Sequence, residues 1–383
     1  MHKKTKVLIL HNFMAPYRFP LFRKLSEYKD VDLTVHFMTR SQKNRRWKKL
    51  PKLGFKYKVL PRWEINLSGK DLLAYIINYT FPLEFLRSNF DVVISAGWLD
   101  FASQMGFILS KIMGRKFLIW SESTINEPSF LRKITLPFVK YVVKHSDACI
   151  AIGTKSKEYL VSLGASQEKI FVAYSTVDVE HFVKKSQMSK QELEIYKNKL
   201  GLSKSKVILY VGQFIERKGL KYLIEAFQKI EKKLKNVKLL LLGYGPQKVE
   251  LESMVKCKKL TGVCFKDHVE IDEMPKYYKL ADVFVLPSYE ETWGLVINEA
   301  MSVGLPIVTT RVVGASTDLV IENENGFIVK EKSSKDLYEK LTMLLQNQKM
   351  VESFSKYSRK HILKFTPGKA AASFAKAIRF TQK

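Results

Sequence analysis

Cysteine is scarce: only Cys149, Cys257 and Cys264 occur in 383 residues. Three scattered thiols exclude a disulfide framework and a zinc cage, and they read as small buried hydrophobes of a reducing compartment. Long apolar runs are missing too. Nothing approaches the ~18 consecutive apolar residues that mark a membrane span. The nearest stretch, residues 72–86 (LLAYIINYTFPLEFL), is interrupted by Asn78, Pro82 and Glu84. The opening MHKKTKVLILHNF is basic and then apolar, but its apolar run is short and no small-residue cleavage site follows, so it reads as a first strand and not as a signal peptide. These absences predict a cytoplasmic chain, attached at most to one face of a membrane. Low-complexity tracts and short internal repeats are also absent.

Acidic residues are the minority. Lys and Arg number 65 against 37 Asp and Glu, for a formal charge of +28. Such a balance calls for an anionic partner and says nothing of fold. The candidates are nucleic acid, an anionic membrane face and phosphorylated small molecules. The excess concentrates at 40–62 (RSQKNRRWKKLPKLGFKYKVLPR), which holds ten Lys or Arg and no acid, with Trp47, Leu50, Leu53, Phe55 and Tyr57 between them and Trp63 next. Cations mixed with aromatics suit an anionic headgroup layer or single-stranded nucleic acid, and a solvated loop is the third reading. The membrane is favoured, because no nucleic-acid-binding signature stands elsewhere.

A hydrophobic fraction of 46% over this length suits two globular domains. Short apolar runs alternate with helical patterns. KVLIL (6–10), 31–37, DVVIS (91–95), FLIW (117–120) and ACIAI (148–152) read as buried strands, with helices over 18–28 and 101–114. After a polar, Lys-rich stretch at 183–205 the pattern restarts. KVILYVG (206–212) resembles the opening strand, followed by a helix over 220–234, VKLLLLG (237–243), VCF (263–265), DVFVLPS (282–288) and LPIVTT (305–310). Alternation of this kind predicts parallel sheets with helices on both faces. The expected architecture is two successive α/β domains, 1–180 and 181–365, with a final helix at about 366–383 returning to the first.

Ligands of such sheets bind beyond the carboxyl ends of the strands, and several motifs stand there. In Ser288–Glu299 (SYEETWGLVINE) a strand ends and a helix begins near Gly294. Unpaired backbone N–H groups at Trp293, Gly294 and Leu295, with the helix dipole, make an anion site suited to a diphosphate. Glu291 lies in the loop above it. Glu299, in the second turn, suits a ribose diol; the alternative is a Glu299 satisfied by neighbouring backbone and a solvated Glu291. In GQFIERKG (212–219) Lys218 can reach over a tight loop to a leaving pyrophosphate, or stand in solvent. LLGYGP (241–246) lacks the third glycine of a dinucleotide fingerprint and reads as a turn near a base or a plain strand-to-helix turn. Asp30-Val31-Asp32 has the form of a metal-holding pair, but it precedes a strand, at the wrong end for ligand, and reads as a solvated strand start.

Taken together these motifs resemble the retaining GT-B-fold glycosyltransferases of family four (glycosyl transferases group 1). The E-x7-E signature matches Glu291-(TWGLVIN)-Glu299, and EAMSVGLPIV (299–308), VVGASTDLVIENENGFIV (312–329), residues 265–291 and VGQFIERKG continue it in order across most of 206–330. HNFMAPYRFPLFRKL takes the place of the family's first loop and helix, and FTPGKAAASFAKAIRF resembles its terminal helix. The resemblance implies two Rossmann-like domains facing a central cleft, and metal-independent transfer from a nucleotide diphosphate sugar, UDP-linked by preference, with no cofactor beyond that co-substrate. It implies Glu291 on the donor sugar, Glu299 on the ribose, Lys218 on the diphosphate and the backbone of Trp293, Gly294, Leu295 and Val296 on sugar and phosphates. Gly243, His268 and Val269 would face the base.

The chain departs from the family in places. The family's phosphate-binding Arg falls on Gln213, Asp267 replaces a Gly, and Ala15, Pro16, Tyr17 and Arg18 stand where first-loop glycines are usual. The acceptor-side His is replaced at Ser121-Glu122, so Tyr17, Arg18 and Glu122 become the acceptor-side candidates, with Glu122 orienting the acceptor hydroxyl or capping a helix. The expected function is bacterial surface-polysaccharide or glycolipid synthesis at the inner face of the membrane. The rivals are a non-catalytic nucleotide-sugar-binding partner subunit, suggested by Gln213, and a nucleic-acid-binding protein using 40–62.

Overall fold

The computed structural model describes residues 4–40, 53–66, 74–125, 130–267 and 269–382. They form two compact units, Met1–Thr176 with Pro367–Lys383, and Val177–Thr366.

The first unit is built on nine strands: β1 (Thr5–Phe13), β2 (Val31–Thr39), β3 (Lys56–Val59), β4 (Trp63–Asn66), β5 (Ala74–Ile77), β6 (Val92–Ala96), β7 (Lys116–Ser121), β8 (Ala148–Ala151) and β9 (Ile170–Val172). Seven make one sheet in the order β3-β2-β1-β6-β7-β8-β9, every pairing parallel. Val7, Leu8, Ile9 and Leu10 are fully buried, as are Val92 to Ile94. A strand covered on both faces needs apolar residues at successive positions, which is why these runs do not alternate. The sheet grows outward through β2 and β3, then returns to the other side of β1 at β6, and this reversal opens a crevice at the carboxyl ends of β1 and β6.

Strands β4 and β5 form a separate antiparallel ribbon. Of the apolar stretch 72–86, the described residues 74–86 become β5, a turn and the short helix Phe81–Leu86. Asn78, fully buried, bridges it to the sheet by donating to the carbonyls of Met38 (3.0 Å) and Pro61 (3.1 Å). No helix among the described residues is long and apolar enough to cross a membrane.

The C-terminal helix Pro367–Phe380 completes this unit. Its Ala370, Ala371, Ala375 and Ala377 let it pack closely, and it lies against the Phe19–Ser26 helix, β8 and β9. Phe374 meets the Trp120 ring edge-on at 5.0 Å. Arg379 grips Asp30 with two hydrogen bonds, 2.7 and 3.0 Å, and Asp32 takes Lys56 at 2.6 Å. Both carboxylates of the formal D-x-D pair thus hold cations of the first unit.

The second unit repeats the plan with β10 (Lys206–Val211), β11 (Val237–Leu242), β12 (Val263–Lys266), β13 (Val283–Leu286), β14 (Ile307–Thr310) and β15 (Gly326–Val329), in the parallel order β12-β11-β10-β13-β14-β15. Its reversal falls between β10 and β13. The polar, Lys-rich stretch 183–205 contains the helix Lys190–Lys199. A capping box starts it: Ser189 Oγ accepts from the Glu192 N–H (3.1 Å), and the Glu192 carboxylate accepts from the Ser189 N–H (2.7 Å). None of its residues is buried, so no apolar stripe announces it. The edge strands β3, β9 and β15 are likewise unmarked by a long apolar run.

The terminal helix gives a graded test. Truncating Phe374 to Ala should destabilise the first unit by about 3–5 kcal/mol. Arg379→Ala removes an exposed ion pair and a stacking contact with the Tyr28 ring at 5.5 Å and should cost about 1 kcal/mol. Urea unfolding of both variants checks the ranking, and equal losses would contradict it.

Candidate active site

In the second unit the site is assembled where β10 and β13 end side by side. The loop after β10 passes through Gly212 and Gln213 to a single 3-10 turn, Glu216–Lys218, and then Gly219. Gly219 has φ of 69°, and a Cβ there would stand 2.3 Å from the Pro287 carbonyl oxygen. Only glycine lets this loop lie against the end of β13. The two loops are then tied together. The Tyr289 N–H donates to the Arg217 carbonyl (2.9 Å), and the Arg217 guanidinium donates to the Glu290 carbonyl (3.0 Å). The Lys218 ammonium ion-pairs with the Glu291 carboxylate, both side chains being nearly buried at 11% and 13% exposure.

The Glu291 backbone is held from the other side, its carbonyl accepting from the Gly314 N–H at 3.1 Å. Gly294, at φ of 94°, adopts the left-handed turn that starts the helix Leu295–Val303. The first N–H groups of any helix lack intrahelical partners, so Leu295 and Val296 present theirs beside Glu291. Trp293 is buried, and its indole N–H donates to Asn298 (2.9 Å). Its side chain therefore anchors the turn, leaving the backbone as the part a ligand can meet. Glu299, in the second turn, accepts from the Tyr278 hydroxyl at 2.6 Å. Burial pushes the Glu299 carboxyl up to about 7, against the lowering effect of that hydrogen bond. Burial, with the Glu299 charge beside it, holds the Tyr278 hydroxyl well above the usual range, so it stays a donor.

The remaining donor-side candidates flank this group. The Gln213 carbonyl accepts from the buried Tyr210 hydroxyl at 2.8 Å. The Gly243 N–H donates to the Lys266 carbonyl (2.9 Å), at the end of β11 next to Gly212. Val269 follows β12, and His268 lies outside the described residues.

In the first unit the corresponding crevice, beyond β1 and β6, is a cavity of about 260 Å³. His11, Tyr17, Asp100, Trp120 and Glu122 are among its walls. Arg18 does not line it. Its guanidinium is 3% exposed, sits 4.9 Å from the Trp120 ring and 5.2 Å from the Tyr17 ring, donates to Ser175 (3.1 Å) and ion-pairs with Glu122. Arg18 thus acts on the cavity through Glu122, whose side chain stays 42% exposed. Burial, then the Arg18 charge, lowers the His11 pKa to about 4, so this ring is neutral at ordinary pH. Asp100 carries no motif in the sequence. It precedes the helix Phe101–Ile112 without capping it, and burial raises its pKa. Its position after β6, at the reversal of the sheet, is the signal that marks it.

Residues 193–361 match the family model described as Glycosyl transferases group 1. The capsular polysaccharide biosynthesis glycosyltransferase CapM of Staphylococcus aureus is 32% identical over 222 residues, 56% of this chain and 56% of its own length. Spore coat protein SA of Bacillus subtilis (strain 168) is 29% identical over 211 residues, 51% of this chain and 54% of its own length. The chain thus spans about half the length of the curated relatives it matches. In three dimensions it is similar to Anabaena Alr3699/HepE, crystallised in complex with UDP and glucose: TM-score 0.78, covering 98% of this chain and 99% of that one, at 18% identity. That likeness shows the fold, two Rossmann-like parallel-sheet domains of the GT-B type.

Glu299 gives a pH test. Its folded pKa of about 7 lies above the ordinary 4.5, so its contribution to stability is fully present below pH 4.5 and lost as pH rises through about 7. Glu299→Gln removes that loss. The variant should be more stable than the parent at pH 8, by up to ~3 kcal/mol, and the advantage should shrink by pH 5. Urea melts at the two pH values check it; an advantage that grows toward low pH would contradict the assignment.

Proposed function

We propose, from the match of residues 193–361 to the Glycosyl transferases group 1 family model, that the chain is a glycosyltransferase. It moves a sugar from a nucleotide diphosphate sugar to a glycan or lipid-linked acceptor, with retention at the anomeric carbon. One observation carries this reading: Lys218, Glu291, Glu299 and the Gly294 helix start converge at the point where the β10–β13 sheet reverses. The bond from the anomeric carbon to the diphosphate breaks while a bond to an acceptor oxygen forms, and negative charge builds on the departing phosphate. Lys218 and the N–H groups at the helix start are placed to stabilise that charge without a metal. Because Lys218 is already paired with Glu291, an arriving diphosphate shares the ammonium, and Glu291 is held where the sugar hydroxyls would lie. Glu299 would accept from the ribose.

UDP is the preferred carrier, supported by the HepE structure in complex with UDP and glucose. A surface polysaccharide or glycolipid as product is supported by the capsular polysaccharide role named for CapM. In the first unit, Glu122 held by Arg18 is placed to orient an acceptor hydroxyl, with Tyr17 beside it.

Location at the cytoplasmic face of an anionic membrane is part of the proposal. Exposed Trp63 stacks on Tyr79 at 4.7 Å, and Ile112, next to Lys111, and Ile134, in the basic helix Phe130–His145, are exposed. Of the basic block, residues 41–52 lie outside the described ones. Its described cations are partly compensated by acids elsewhere in the fold, with Lys56 on Asp32, Lys58 on Glu84 and Arg62 on Glu64. That compensation lowers the charge the described part of the block offers to any polyanion, so the membrane reading there rests on the exposed apolar side chains.

The test is a thermal-shift panel of UDP-, GDP- and ADP-sugars with transfer assayed in parallel. A donor at a hundredfold its Kd should stabilise the fold by about 2.7 kcal/mol. Lys218→Ala should lower kcat/KM by about 100-fold or more while leaving the far-UV spectrum unchanged. Full transfer by a folded Glu291→Ala protein would sink the proposal. Donor binding without turnover on any acceptor would support the partner-subunit reading instead.

A further inference from the structure

The second unit holds another cavity, of about 640 Å³, at the far end of the Leu295–Val303 helix. None of Lys218, Glu291, Trp293 or Glu299 lines it. Its walls come from the helices Val179–Lys185, Leu295–Val303 and Gln348–Ile362, the connection 186–189, and Lys279 at the end of the Met274–Lys279 helix. The size falls in the ~300–1,000 Å³ range of small-molecule sites.

Its lining divides by chemistry. Val179, Val183 and Ile362 supply apolar wall, and Lys279 and Arg359 supply two cations. The two lysines of the Met274–Lys279 helix are treated differently by the fold. Lys276 binds Glu273 at 3.0 Å and the Tyr196 hydroxyl at 3.2 Å. Lys279 has no hydrogen bond or ion pair among the described residues, although it is partly buried. Burial and the neighbouring Arg359 both lower its pKa. Among the described residues Arg359 hydrogen-bonds only to the Val303 carbonyl, at 3.4 Å. Desolvating an ammonium is costly unless a counter-charge compensates it, and among the described residues none is paired with Lys279. Two cations lining one cavity match a dianionic head, and Val179, Val183 and Ile362 line the same cavity.

We propose that this cavity is a second ligand site, for a phosphomonoester carried on an apolar body. Lys279 and Arg359 take the phosphate, by charge-assisted hydrogen bonds, and Val179, Val183 and Ile362 take the body. The ligand is a soluble ester or the head and proximal chain of a lipid phosphate, which share this chemistry.

Calorimetric titration of the full chain with n-octyl phosphate tests the site. One molecule should bind per chain, at least tenfold tighter than inorganic phosphate or n-octanol. Lys279→Gln should weaken it at least tenfold, and Val183→Trp, which fills the cavity from a half-exposed position, should abolish it. Both variants should unfold cooperatively like the parent. Flotation with phosphatidic acid vesicles, lost in Lys279→Gln, would assign the head to a lipid; octyl phosphate binding without flotation would assign it to a soluble ester. Non-saturating uptake, equal binding by parent and variants, or inorganic phosphate binding as tightly as the octyl ester would overturn the proposal.

Discussion

Lys218 and Glu291 are 73 residues apart and meet because β10 pairs with β13. That pairing is the constraint on which the second unit's site depends. The sheet grows from β10 toward β12 on one side and resumes at β13 on the other, so the loops after β10 and β13 leave their strands in diverging directions. Gly219 allows one loop to touch the other at Pro287, Arg217 stitches them through Glu290, and the ion pair closes the contact. The helix that begins at Gly294 is then fixed in position, and Glu299 follows one turn later against Tyr278.

The strength of this arrangement is that structural and chemical roles fall on different atoms. Trp293 and Asn298 fix the turn with side chains and leave the backbone for the proposed donor. Arg217 holds a backbone carbonyl, while Lys218 beside it carries its charge to Glu291. In the first unit the division recurs. Arg18 is sealed against Trp120 and Ser175, and its charge reaches the cavity only through Glu122.

Much of this was legible in the sequence. Unbroken apolar runs such as KVILYV and VKLLLL can only be strands covered on both faces, and their alternation with helical patterns gives two parallel sheets. The E-x7-E spacing places one carboxylate before a helix and one in its second turn, where Glu291 and Glu299 stand. What could not be read is contact across sequence. Nothing local says that Lys218 pairs with Glu291, that Arg379 clasps Asp30, or that the acid-free basic block meets Asp32 and Glu84. The Lys190–Lys199 helix was hidden for another reason: it buries nothing, and only Ser189 and Glu192 mark its start. Asp100 was hidden because a lone carboxylate has no spacing to match, and its environment exists only after β1 and β6 are side by side.

The central claim is that one crevice, at the carboxyl ends of β10 and β13, receives the nucleotide diphosphate sugar. Hydrogen–deuterium exchange of the full chain with and without UDP-glucose addresses it most directly, because backbone amides at the helix start are the expected ligands. Protection is expected over 212–219 and 291–299, with the terminal helix Pro367–Phe380 unchanged. Protection that spares both of those segments while UDP-glucose is bound would contradict the claim.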